Sequence, residues 1–147
     1  MDVGKSYREA AVRGASPVEL VVRLYEQAIE DLRQALKGLE QNDVELRSNK
    51  MNHAILVLGY LQSQIEFQNG GKVAKDLEKF YNALRENLVH AQITGSKPLL
   101  LQQITDLLTV REAWIEVHRA ERGASAIPAV PEETSSEAAQ QHVDWKG

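Results

Sequence analysis

The chain has 147 residues, a length that fits one domain, and its 43% hydrophobic and 26% charged content excludes global disorder. It contains no cysteine, which excludes thiolate metal sites, thiol nucleophiles and disulfides, and its 5% aromatic content with only 4 prolines argues against an all-β fold. The net charge of −4 disfavours an electrostatic nucleic-acid partner and attraction to an anionic membrane.

Residues 1–16 carry Gly4, Gly14 and Ser16 among a few apolar side chains (Val3, Tyr7, Ala10, Ala11, Val12) and read as an irregular or loosely helical arm. No apolar run of signal-peptide or transmembrane length follows Met1, so no membrane insertion is expected, and the expected location is the cytoplasm. Ser16-Pro17-Val18-Glu19 then has the form of a capping box, a serine N-cap with proline at the first helical position and glutamate at the third. It predicts a helix to about Glu40, with Leu20, Leu24, Ala28, Leu32, Ala35 and Leu39 as the buried stripe.

Gln41-Asn42-Asp43 is a polar break. A second helix is predicted from Val44 to Gln68, with Met51, Ala54, Leu58, Leu61 and Ile65 facing inward, ended by Asn69-Gly70-Gly71. A third is predicted from Lys72 to Ile93 on Val73, Leu77, Phe80, Leu84, Leu88 and Ala91. Gly95-Ser96-Lys97-Pro98 breaks the chain again, and a fourth helix is predicted from Pro98 to Arg122, with Gly123 as its stop. Its apolar positions are Leu100, Ile104, Leu107, Leu108, Val110, Trp114, Ile115 and Val117.

Composition changes after Gly123. The segment 124–147 holds Pro128, Pro131, Glu132, Glu133, Glu137 and Asp144 against one basic residue, Lys146, with Trp145 isolated near its end. Too little apolar surface is present to offset the entropy of ordering it, so it reads as a disordered acidic tail beside a bundle of residues 1–123. Four amphipathic helices joined by short connections predict an all-α, antiparallel up-down-up-down four-helix bundle.

No catalytic constellation accompanies that fold. None of His53, His90, His118 and His142 stands three residues after a glutamate, as a bundle di-metal site requires, and Glu86 with His90 is a single pair. Gly70-Gly71-Lys72 is followed by Val73 and lacks the upstream glycine of a phosphate loop. No nucleophile elbow surrounds a serine. An enzyme, a cofactor and a metal are therefore not expected.

Subtracting the predicted core leaves Ile55, Leu56, Val57, Tyr60 and Phe67 on helix 2, and Leu99, Leu101 and Ile115 on helix 4. Leu56, Tyr60 and Phe67 lie on one side of helix 2. The excess reads either as a wide core face or as a groove for an amphipathic helix of another chain. Gly59 between Leu58 and Tyr60 costs about 1 kcal/mol relative to alanine in a helix interior. Close approach by a partner helix would explain it. Tyr7 reads equally as a lid on a bundle end or as part of a partner surface.

These landmarks resemble the FliS-type flagellar export chaperones. The likeness runs through Tyr7, Ala15-Ser16-Pro17, Leu20, Leu24-Tyr25, Gln41-Asn42-Asp43 and Asn69-Gly70-Gly71-Lys72-Val73-Ala74. It continues in Leu77, Tyr81, Leu88, Ala91-Gln92 and Arg111-Glu112-Ala113-Trp114, and covers Tyr7 to His118. The resemblance implies a small helical bundle in the bacterial cytoplasm that binds the disordered C-terminal segment of flagellin. It would prevent premature polymerisation and assist delivery to the flagellar export machinery. It further implies that the arm around Tyr7 borders the client surface, to which Leu56, Gly59, Tyr60 and Phe67 are assigned from the subtraction. The alternative is a helical adaptor or scaffold that uses the same groove for a different protein.

Overall fold

The computed structural model describes residues 16–68 and 71–126, with Lys5, Arg8, Glu9 and Gly14. Side chains are described from Ser16 to Ile65 and from Gly71 to Gly123. Four helices follow one another: α1 (Pro17–Glu40), α2 (Val44–Gln68), α3 (Lys72–Thr94) and α4 (Lys97–Ala126), with no strand among the described residues. Tyr7 and residues 127–147 lie outside the described residues, and so does the reading of that tail as disordered.

Local chemistry sets the boundaries. Ser16 Oγ accepts the Glu19 N–H at 3.1 Å, satisfying one of the four unpaired donors at the start of α1. Ser16→Ala is expected to cost about 1 kcal/mol, read as a lower denaturation midpoint. The polar break after α1 is a built turn. Asn42 takes the left-handed conformation (φ 57°), the Asp43 N–H donates to Gly38 O at 2.8 Å, and Asp43 Oδ1 caps α2 by accepting from Leu46 N at 3.0 Å. Between α3 and α4, Gly95 is a left-handed C-cap (φ 65°) whose N–H bonds Ala91 O at 2.8 Å, and Ser96 Oγ accepts from Leu99 N at 3.2 Å. That serine cap starts α4 one residue before the predicted Pro98. Gly123 does not stop α4, which continues to Ala126. A single glycine costs only about 1 kcal/mol in a helix, and alanine, the best helix former, stands on both sides of the following serine.

Side-chain pairs give the helix directions. Between α1 and α4, Glu40 meets Lys97, Glu26 meets Arg111 and Glu19 meets His118, so one series climbs as the other falls. Between α2 and α3, Ser48 meets Gln92 and Gln62 meets Arg85, again antiparallel. Asp31 and His53 join α1 to α2, and Asn87 and Gln103 join α3 to α4. Each helix packs on its sequence neighbours and α4 closes on α1, the up-down-up-down bundle.

The core is wider than the predicted stripes. Val21, Tyr25 and Ile29 add a second buried row on α1, while Leu39 is only half-buried. Val57, left over in the sequence reading, is fully buried. A helix that touches two neighbours needs an apolar face broader than a row at spacings of three and four. Tyr25 and Tyr81 reach across the bundle diagonal from α1 to α3, with their hydroxyls 2.6 Å apart and their rings tilted at 57°. Burial pushes both phenols above the ordinary tyrosine value, Tyr81 further through the neighbouring Tyr25 charge, while hydrogen bonding to Tyr81 and Trp114 opposes the rise at Tyr25.

Alkaline stability follows from those shifts. The unfolded chain releases its phenolic protons near pH 10, while the folded chain still holds them. Stability that is complete below pH ~10 is therefore lost as pH rises beyond it. A denaturation series read alongside tyrosinate absorbance is expected to show ionisation of Tyr25 and Tyr81 together with unfolding. Ionisation of all four tyrosines in a folded bundle would contradict it.

Candidate functional site

Among the described residues, no group of three or more His, Cys, Asp or Glu side chains converges as a metal site would, and no helix is long and apolar enough to cross a membrane. What the bundle does present is exposed apolar surface. Leu56 on α2 is 64% exposed, and Ile93 and Val89 on α3 are 78% and 47% exposed.

These residues share one flank. The Ser48–Gln92 and Gln62–Arg85 hydrogen bonds, at 2.7 and 2.9 Å, mark the seam between α2 and α3. Gly59 stands three residues before Gln62, and Val89 lies between Arg85 and Gln92. At 3.6 residues per turn, Gly59 and Val89 sit at the mouth of that seam, and Leu56 and Ile93 point further round toward solvent. The rim between the two bonds carries neutral Asn52 on α2 and Glu86 on α3.

Two helical glycines contrast sharply. A β-carbon at Gly59 would meet nothing within 4 Å, so no contact inside the bundle requires glycine there. A β-carbon at Gly38 would stand 2.7 Å from Arg47 N and 3.0 Å from Asp43 O, both backbone atoms. The close approach within this fold is therefore at the α1–α2 turn.

The structure brings Leu56 and Gly59 together on the α2–α3 flank. Tyr60, four residues after Leu56, stands beside it on the outward side of α2, nearer α1, and packs half-buried against the core. Ile55 likewise packs partly against the core. Phe67 lies in the last turn of α2, its side chain outside the described set. Val89 and Ile93 were missed by sequence reasoning. Subtracting the predicted stripe from helix 3, as for helices 2 and 4, leaves this i, i+4 pair together with Tyr81.

The family model for flagellar protein FliS matches residues 2–121. The chain belongs to the FliS family. The flagellar secretion chaperone FliSB of Pseudomonas aeruginosa is 28% identical over 106 residues, covering 72% of this chain and 84% of the relative. The FliS chaperone of Salmonella typhimurium is 28% identical over 111 residues, covering 74% and 82%, and that of Vibrio cholerae 23% over 109 residues, covering 74% and 80%. The resemblance read from the landmarks between Tyr7 and Trp114 is borne out. FliS proteins are chaperones rather than enzymes. Residues 122–147 lie beyond the family match.

Proposed function

We propose that this FliS-family chaperone holds the C-terminal segment of flagellin in the bacterial cytoplasm, keeps it from polymerising early, and helps deliver it to the flagellar export machinery. The observation that supports this most is the α2–α3 side of the bundle, where Leu56, Val89 and Ile93 are exposed and α2 carries Gly59, a glycine that the bundle itself does not need. An unstructured segment gives up conformational entropy when it folds on a partner, and burial along a long rigid helix pair offsets that loss. An amphipathic helix laid on the flank would place its apolar side on Leu56, Val89 and Ile93 and approach the backbone at Gly59. Tyr60 borders the face on α2, and Phe67 and Tyr7 join it by sequence position and by the family resemblance. Sequestration needs no nucleotide, because a stoichiometric holder acts through mass action.

Calorimetry with intact flagellin and with flagellin lacking its C-terminal segment tests the reading. Binding is expected only to the intact protein. Equal binding to both would make the chain an adaptor for another part of the client, and binding to neither would remove flagellin from the account.

A further inference from the structure

The four helices are not secured equally. α1, α2 and α4 each open on a side-chain cap, from Ser16, Asp43 and Ser96 respectively. α3 opens on Gly71, at φ 106°, which has no side chain to offer the first unpaired N–H groups. Ion pairs tie α4 to α1 (Lys97–Glu40 at 2.8 Å; Arg111 Nε to Glu26 at 3.1 Å), and Asp31–His53 ties α1 to α2. Among the described residues no ion pair joins α3 to another helix. Its ties to α2 include the Gln92–Ser48, Gln62–Asn82 and Arg85–Gln62 hydrogen bonds, and Asn87 lies 3.4 Å from Gln103 on α4.

One hydrogen bond in the core joins α3 to α1, that between Tyr81 and Tyr25. It is under-satisfied as well as buried. Two hydroxyls carry two protons and share one bond, so the accepting phenol has a proton left over. The nearby polar atom is the Trp114 indole N–H, which faces the Tyr25 hydroxyl and can only donate, so it offers that proton no acceptor. The bond that anchors α3 therefore carries a surplus of donors, which lowers what docking gains from it.

We infer that α3 is the movable helix of this bundle. It undocks as a unit, with Tyr25–Tyr81 as its latch, and a client lying across α2 and α3 holds it docked. The second half rests on the proposed client face, and the first does not. Bundle elements open with free energies set by their own packing and hydrogen bonds, and the least secured opens first. A ligand that touches both helices finds its full site only when α3 is docked, so its binding shifts the population that way.

Hydrogen exchange on the full chain, read helix by helix by mass spectrometry, tests this. In the free protein, α3 amides are expected to exchange at least about tenfold faster than those of α1. Tyr81→Phe leaves the Tyr25 hydroxyl without its partner only while α3 is docked, and should speed α3 exchange about tenfold more while sparing α1. Because the chain lacks cysteine, Gln62→Cys with Asn82→Cys can be joined by a short thiol cross-linker, and this should abolish the difference. Equal protection of α3 and α1 in the free chain overturns the inference. A flagellin C-terminal peptide should slow α3 more than α1. A bound peptide that slows all helices alike overturns the clamping half, whereas a peptide that does not bind overturns the client reading and leaves undocking standing.

Discussion

Leu56→Glu and Ile93→Glu are each expected to weaken the client complex by more than about tenfold, because each buries an unpaired charge in an apolar contact. Both side chains are largely exposed in the free bundle, 64% and 78%, so neither change removes core packing. The melting temperature of the free protein should stay nearly unchanged. That combination separates a binding face from a core face. Tyr60 is a poorer test position because its ring already packs against the core, so Tyr60→Glu would mix the two effects. Calorimetry with a flagellin C-terminal peptide, beside a thermal melt of each variant, checks the prediction. Normal binding by both variants would move the client elsewhere on the bundle.

The second large effect is on stability. Gly38→Ala is expected to destabilise the bundle by about 2–3 kcal/mol, because the added carbon meets backbone on the α1–α2 turn, which cannot rotate away. The distances to Arg47 N and Asp43 O, 2.7 and 3.0 Å, are shorter than a β-carbon contact tolerates. The same hairpin carries the Asp43 N–H bond to Gly38 O and the Asp43 cap of α2, so a shift there disturbs both helix ends. Gly59→Ala should do the opposite to the free protein and stabilise it by about 1 kcal/mol, since the site is open and alanine is the better helix former. In the complex, that β-carbon would hold the client helix away, so Gly59→Ala should bind more weakly while melting higher. Urea midpoints of the two variants check the pair, and destabilisation at both positions would contradict the contrast.

That contrast also shows what a sequence can reveal here. Helix ends were legible because caps are local: serine, aspartate, asparagine and glycine act on backbone within four residues. Ser16-Pro17 placed the start of α1, and Val44–Gln68 holds as predicted. Two glycines inside helices look alike in sequence, and only the partner helix distinguishes Gly38, pressed on Arg47, from Gly59, open to solvent. Tyr25 and Tyr81 escaped the predicted core because a phenol reads as a boundary residue until a second hydroxyl stands opposite it. Val89 and Ile93 are ordinary apolar residues in sequence. They stand out only when the fold shows them exposed on the side of the bundle where α2 also exposes Leu56.

The central claim is that the α2–α3 flank receives the C-terminal segment of flagellin. Titrating the full chain with a peptide of that segment, with wild type and Leu56→Glu run side by side in a calorimeter, tests it most directly. The account predicts a one-to-one complex for the wild type with a negative heat-capacity change, the mark of apolar burial, and its loss in the variant. Equal affinities for the two proteins, with both folded, would contradict it.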